Sequence, residues 1–183
     1  MEQKNIWGII IAIFALLVIG GIILVAMQRG GVQDVNDVNA PDTVAAPGAS
    51  AIKGDGQVVT NEGNPVKLNV EPLSPEAPSQ SIPIAESEVP ASAIEVKVSA
   101  EGFKPAELSV SSGDAVSISI TSTDTQSHVF RFDSAQLSAV AVGVGPGETR
   151  LISFNAPAKG EYTFFCDVPG HKGRGEIGKM IVK

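Results

Sequence analysis

One cysteine and two histidines are the residues of this 183-residue chain best suited to metal chemistry. His128 opens the run His128-Val-Phe-Arg-Phe132, and Cys166 closes the aromatic run Tyr162-Thr-Phe-Phe-Cys166. Asp-Val-Pro-Gly then separates Cys166 from His171. One thiolate and two imidazoles on strand-like runs form a soft-ligand set suited to copper, so one mononuclear copper ion per chain is expected. Singly the residues say little, because a lone strand cysteine is commonly a small buried hydrophobe. Jointly, the chain's whole stock of both residue types falls where a His₂Cys site needs it. Structural zinc sites, Cys₄ to Cys₂His₂, use more thiolate than this. A two-cysteine binuclear copper centre is excluded, and a multicopper oxidase would need many more histidines. Cys166 and His171, with Asp167 as orienter, could form a nucleophile–base pair. The short Pro-Gly loop instead points both side chains at one spot and no oxyanion-hole motif accompanies them, so no enzymatic activity is expected.

The elements that must position these residues begin near Ser92. Ile94–Val98 and Val116–Ile120 alternate apolar and polar residues. Leu108–Val110, His128–Phe132, Ala139–Val142, Leu151–Phe154, Tyr162–Cys166 and Ile177–Val182 complete about eight candidate strands. Turn signals such as Ser112-Gly-Asp114, Gly145-Pro-Gly147 and Ala158-Lys-Gly160 separate them. Many short strands at this spacing predict an all-β sandwich or barrel over residues 92–183. Phe103, Phe130, Phe132, Phe154, Phe164 and Phe165 would supply the bulk of its core.

The stretch Gly102-Phe-Lys-Pro-Ala-Glu-Leu-Ser-Val110, the Ser-Gly-Asp turn, His128 and Tyr162–His171 together resemble a cupredoxin, the blue copper family of plastocyanin and azurin. The resemblance covers roughly residues 92–183. It implies a Greek-key β-sandwich or barrel, with His128, Cys166 and His171 as the strong copper ligands. The axial methionine of a plastocyanin-like register would stand at Glu176. That carboxylate either binds as an axial oxygen donor or turns outward toward Lys172, Arg174 or Lys179. Met180, four residues along a strand at ~3.3 Å per residue, is too far from Glu176 to replace it and reads as a core side chain. Val129 stands where the family often has an asparagine, so support for the ligand loops must come from elsewhere.

The first half of the chain has a different composition. Residues 1–29 carry a net charge of +1, residues 30–91 carry -7 and residues 92–183 carry -1, and no basic patch suggests nucleic acid. Ile6–Met27 is uncharged and would span roughly 33 Å as a helix, which predicts a transmembrane anchor within residues 1–29 rather than a cleaved signal peptide. Basic residues flank it with a small preference for a cytoplasmic N-terminus. The copper domain would then be extracytoplasmic, periplasmic or extracellular. Residues 30–91 hold eight of the twelve prolines and no aromatic residue, which predicts a flexible acidic linker. A marginal hairpin could pair Gln57–Thr60 with Val66–Val70. The expectation is a monomeric, membrane-tethered one-electron carrier between a redox protein donor and acceptor. Copper storage, delivery or sensing is the alternative.

Overall fold

The computed structural model describes residues 46–183. The expected anchor, residues 6–27, and the first part of the expected linker, residues 30–45, lie outside the described residues. Among the described residues no helix is long and apolar enough to cross a membrane.

Among the described residues eleven strands follow in chain order: β1 (Ala51–Ile52), β2 (Val58–Val59), β3 (Ile94–Ser99), β4 (Gly102–Lys104), β5 (Glu107–Val110), β6 (Ala115–Ser122), β7 (His128–Phe132), β8 (Ala141–Val144), β9 (Thr149–Asn155), β10 (Gly160–Cys166) and β11 (Ile177–Val182). Apart from the β1–β2 pair they form a five-stranded sheet ordered β5-β11-β10-β7-β8 and a four-stranded sheet ordered β4-β3-β6-β9. The all-β sandwich expected from the alternating runs is therefore present. Alternation explains it, because every second side chain of each strand faces the opposite sheet. Val96, Val98, Ile118, Ile120, Ile152 and Phe154 of one sheet meet Phe130, Phe132, Phe164 and Met180 of the other in one core. Phe103 packs edge-on against Phe130 and Phe164, at ring separations of 5.8 and 5.2 Å. Gly178 makes room for this cluster, since a Cβ there would lie 2.3 Å from the Phe164 ring and 2.6 Å from the Ala106 carbonyl.

Three local expectations differ from the structure. Strand β8 starts at Ala141, because a 3₁₀ turn at Ala135–Leu137 occupies the preceding stretch and buries Leu137. Strand β4 is too short to show alternation. Phe165 is only half-buried; as the odd residue between Phe164 and Cys166 it faces outward, with Lys172 Nζ 4.2 Å from its ring centre. Met180 is fully buried, as its alternation with Gly178 and Val182 requires.

The larger difference concerns residues 46–91, which form a strap on the sandwich rather than a free linker. Gln80 and Ile84 bridge to Ile152 and Thr149 along β9. Ser81 N–H donates to the Leu151 carbonyl at 2.7 Å, and Leu151 N–H returns to Ser81 Oγ at 2.9 Å. Toward β8, Ala139 N–H donates to the Leu68 carbonyl and Gly143 N–H to Gln80 Oε1. Asn155 ties the other end, donating to the Gly56 carbonyl and accepting from Val58 N–H. Val58, Val59, Ala46, Ala49 and Ala77 are buried. The composition argument fails here because the strap needs no core of its own. It is ordered by backbone hydrogen bonds and small apolar side chains on a surface already built. Within it, Val59 bridges to Pro65 and Val66 N–H donates to the Val58 carbonyl, so the expected hairpin reduces to a single bridge beside the β1–β2 pair.

Candidate metal centre

The antiparallel order of β7, β10 and β11 brings the first residue of β7, the last of β10 and the approach to β11 to one end of the sheet. His128 is that first residue and Cys166 that last one; Glu176 directly precedes β11. His171 lies between them at the start of a 3₁₀ turn, Lys172–Arg174. The turn ends at Gly175, whose φ of 102° lies in the left-handed region that favours glycine. That conformation turns the chain inward at Glu176. Backbone hydrogen bonds fix the loop: His171 N–H to the Val168 carbonyl, Arg174 N–H to the His171 carbonyl and Cys166 N–H to the Glu176 carbonyl, each at 3.0 Å.

His128, Cys166, His171 and Glu176 each aim one donor atom at a common point, and these atoms all lie within 4.8 Å of one another. Glu176 Oε2 is 2.8 Å from His128 Nδ1 and 3.0 Å from His171 Nδ1. Cys166 Sγ is 3.4 Å from His171 Nδ1 and 3.8 Å from His128 Nδ1. His128, Cys166 and Glu176 are fully buried, and His171 is 8 % exposed. Of the two orientations left open for Glu176, both are used: Oε2 faces inward, while Oε1 accepts from Arg174 Nη2 at 2.6 Å. Lys172 pairs instead with Asp133, and Lys179 with Glu107 and Glu161. Asp167 turns outward to Arg131 at 3.0 Å and does not orient His171.

Support that Val129 cannot give through its side chain comes from its backbone. Its N–H donates to Cys166 Sγ at 3.3 Å, and its carbonyl accepts from Asp167 N–H at 2.9 Å. Asp124, which the sequence did not single out, lies 3.0 Å from His128 Nε2. Burial alone would raise the Asp124 pKa; the hydrogen bond from His128, then those from the Gln126 and Ala100 backbone, outweigh it and bring it down to about 2. The ionised Asp124 fixes a proton on Nε2 and leaves Nδ1 to face the cluster. Burial likewise works to raise the Glu176 carboxyl, but the hydrogen bond from Arg174, the largest of the opposing effects, helps hold it below its ordinary value. Burial pushes the Cys166 thiol up, offset in part by the Val129 and Val168 N–H groups.

This donor set fits a bound cation. The Nδ1 lone pair of His128 and the Glu176 carboxylate, 2.8 Å apart, repel unless positive charge lies between them. A proton would relieve one such pair, whereas a single metal ion serves all four donors. Two nitrogens, a thiolate and an oxygen match the preference of copper.

A family model described as a cupredoxin-like domain matches residues 74–182. Among solved structures, dithionite-reduced auracyanin of Roseiflexus castenholzii is 24% identical with a TM-score of 0.43, covering 51% of this chain and 98% of that one. Auracyanin A of Chloroflexus aurantiacus, described as a "blue" copper protein, is 25% identical with a TM-score of 0.41, covering 50% and 98%. Amicyanin of Paracoccus versutus is 19% identical with a TM-score of 0.43, covering 56% and 92%. No curated protein matches the chain.

Proposed function

Because the chain belongs to the cupredoxin-like domain family, we propose that it is a one-electron carrier holding one copper ion through His128, Cys166, His171 and Glu176. The observation that carries this reading is the convergence of four buried donor atoms, including the only thiol of the chain, on one point. When bound, copper supplies a one-electron couple between Cu(I) and Cu(II). Everything else is the work of the chain's own residues. Strands β7 and β10 hold His128 and Cys166 on a packed sheet and Glu176 directly precedes β11, so little rearrangement accompanies a change of metal charge. The Val129 N–H steadies the thiolate, and Asp124 holds the His128 ring. His171, the one donor residue with any solvent exposure, is the natural point of approach for a redox partner. Glu176 adds a hard anionic donor where a neutral thioether would stand in the plastocyanin-like register.

The uncharged run Ile6–Met27 and the preference for a cytoplasmic N-terminus support a carrier tethered to a membrane with its copper domain on the extracytoplasmic side. Its donor and acceptor would be redox proteins at that membrane, met by a monomeric carrier with no enzymatic activity of its own.

The test is spectroscopy and voltammetry of the copper-loaded protein, beside Cys166→Ser. The wild type is expected to show intense visible thiolate-to-Cu(II) absorption and a reversible one-electron wave, and Cys166→Ser to lose the absorption. An unchanged spectrum in Cys166→Ser would refute the site. Wild-type copper that binds but does not cycle reversibly would favour storage or delivery.

A further inference from the structure

The guanidinium of Arg174 is fixed from two sides. Nη2 donates to Glu176 Oε1 at 2.6 Å, while Nη1 and Nη2 reach Gln126 Oε1 at 3.1 and 3.0 Å. Gln126 is itself held in the turn between β6 and β7: its N–H donates to Asp124 Oδ1 at 2.8 Å, and its carbonyl accepts from Ser122 Oγ at 3.0 Å. The neighbouring cations are engaged elsewhere, Lys172 with Asp133 and Arg131 with Asp167. Arg174 is thus the one cation bonded to a member of the donor cluster among the described residues.

The charge balance of the cluster gives that contact a purpose. A Cys166 thiolate and a Glu176 carboxylate together carry two negative charges, which Cu(II) neutralises. Cu(I) leaves one negative charge in a pocket where three of the four donor residues have no solvent contact. An unbalanced buried charge is costly unless a partner lies close. We propose that Arg174 is the counter-charge of the metal centre, offsetting through Glu176 the excess negative charge of the Cu(I) state and so setting the balance between Cu(I) and Cu(II). Gln126 holds it in place for that role. The proposal rests on the copper reading above. Arg174 faces none of the metal-directed atoms, so it acts as a positioning residue through the carboxylate.

The experiment compares the full chain with Arg174→Gln, Arg174→Lys and Gln126→Leu. Cu(I) and Cu(II) affinities are measured by chelator competition, the reduction potential by redox titration, and the visible spectrum is recorded for each. Arg174→Gln is expected to keep the thiolate absorption but to lose about tenfold in Cu(I) affinity relative to Cu(II), a fall of about 59 mV for a one-electron couple. Arg174→Lys, which retains the charge, should stay near wild type. Gln126→Leu, which frees the guanidinium, should shift the ratio in the same direction by a smaller factor. A residue that merely props the loop would weaken both ions alike. An unchanged or increased Cu(I)-to-Cu(II) ratio in Arg174→Gln or Gln126→Leu, with the absorption intact, overturns the proposal alone. Absence of thiolate absorption in the wild type overturns the copper reading, and this inference falls with it.

Discussion

Asp124 touches no donor atom of the cluster except through His128, yet it decides which ring nitrogen of that histidine is free. Its carboxylate sits 3.0 Å from Nε2, which commits that nitrogen as a donor and leaves Nδ1 to the metal side. Partners of this kind typically change metal affinity by 10–100-fold. Asp124→Ala should accordingly weaken copper binding by about 10–100-fold in a chelator competition, with the visible thiolate absorption retained because Cys166 is untouched. Loss of the absorption would show instead that Asp124 shapes the whole loop. At this scale the four residues that converge were legible in the sequence: one cysteine and two histidines by their rarity, and a glutamate at a position where the resemblance puts a methionine. Asp124 was not, since it is one acidic residue among twenty and only the folded chain brings its carboxylate to His128. The two-sided use of Glu176 was equally hidden, because its partner Arg174 could have turned to any nearby acid.

Strands were most legible where apolar residues alternate over five positions, as in β3 and β6, and were missed where the element is as short as β4. The strap of residues 46–91 escaped for a different physical reason. Its order comes largely from backbone groups bonding to Ala139, β9 and Asn155, and such bonds leave no hydrophobic period to read. Residues 92–183 therefore carry the sandwich but not the segment that covers it. Removing residues 46–91 uncovers Leu151 and leaves the N–H groups of Ala139, Gly143 and Leu151 without their strap partners. The shortened chain should lose on the order of 3–5 kcal/mol of unfolding free energy relative to a chain that keeps the strap. Urea titrations that superimpose for the two would show the strap to be energetically idle.

The turn joining β8 to β9 offers a pH-dependent example at the same scale. Glu148 Oε2 accepts from Gly145 N–H at 2.9 Å and lies 3.4 Å from Arg150. The Gly145 hydrogen bond holds its pKa below the ordinary carboxylate value, against burial and helped by Arg150. A carboxylate with a depressed folded pKa contributes stability above its unfolded pKa and loses it as pH falls through the folded one. Glu148→Gln should therefore cost a few tenths to about 1 kcal/mol at neutral pH, the side chain being partly exposed. That cost should vanish in acid below the usual carboxylate range. A penalty independent of pH would assign the effect to packing.

For the molecule as a whole, the proposed arrangement is a redox domain confined near a membrane by its own chain. Such confinement raises the local concentration of identical sandwiches, and with it the risk that sheet edges of neighbouring copies find one another. Strands β8 and β9 end the two sheets on one side, and the strap lies along both, with Gln80 bonded to each. On the other side the edges are β4 and β5, of three and four residues, which carry Lys104 and Glu107. Short, charged edges are poor templates for pairing, and an edge already occupied offers none. The strap should thus also hinder self-association, through its backbone bonds and through the Gln80 and Ser81 side chains that bind it to the edges. The chain without residues 46–91 should grow in apparent mass with concentration under light scattering, whereas the chain that keeps them should not. A crowded domain can be stable and still be lost to its own copies; the same segment is expected to meet both hazards.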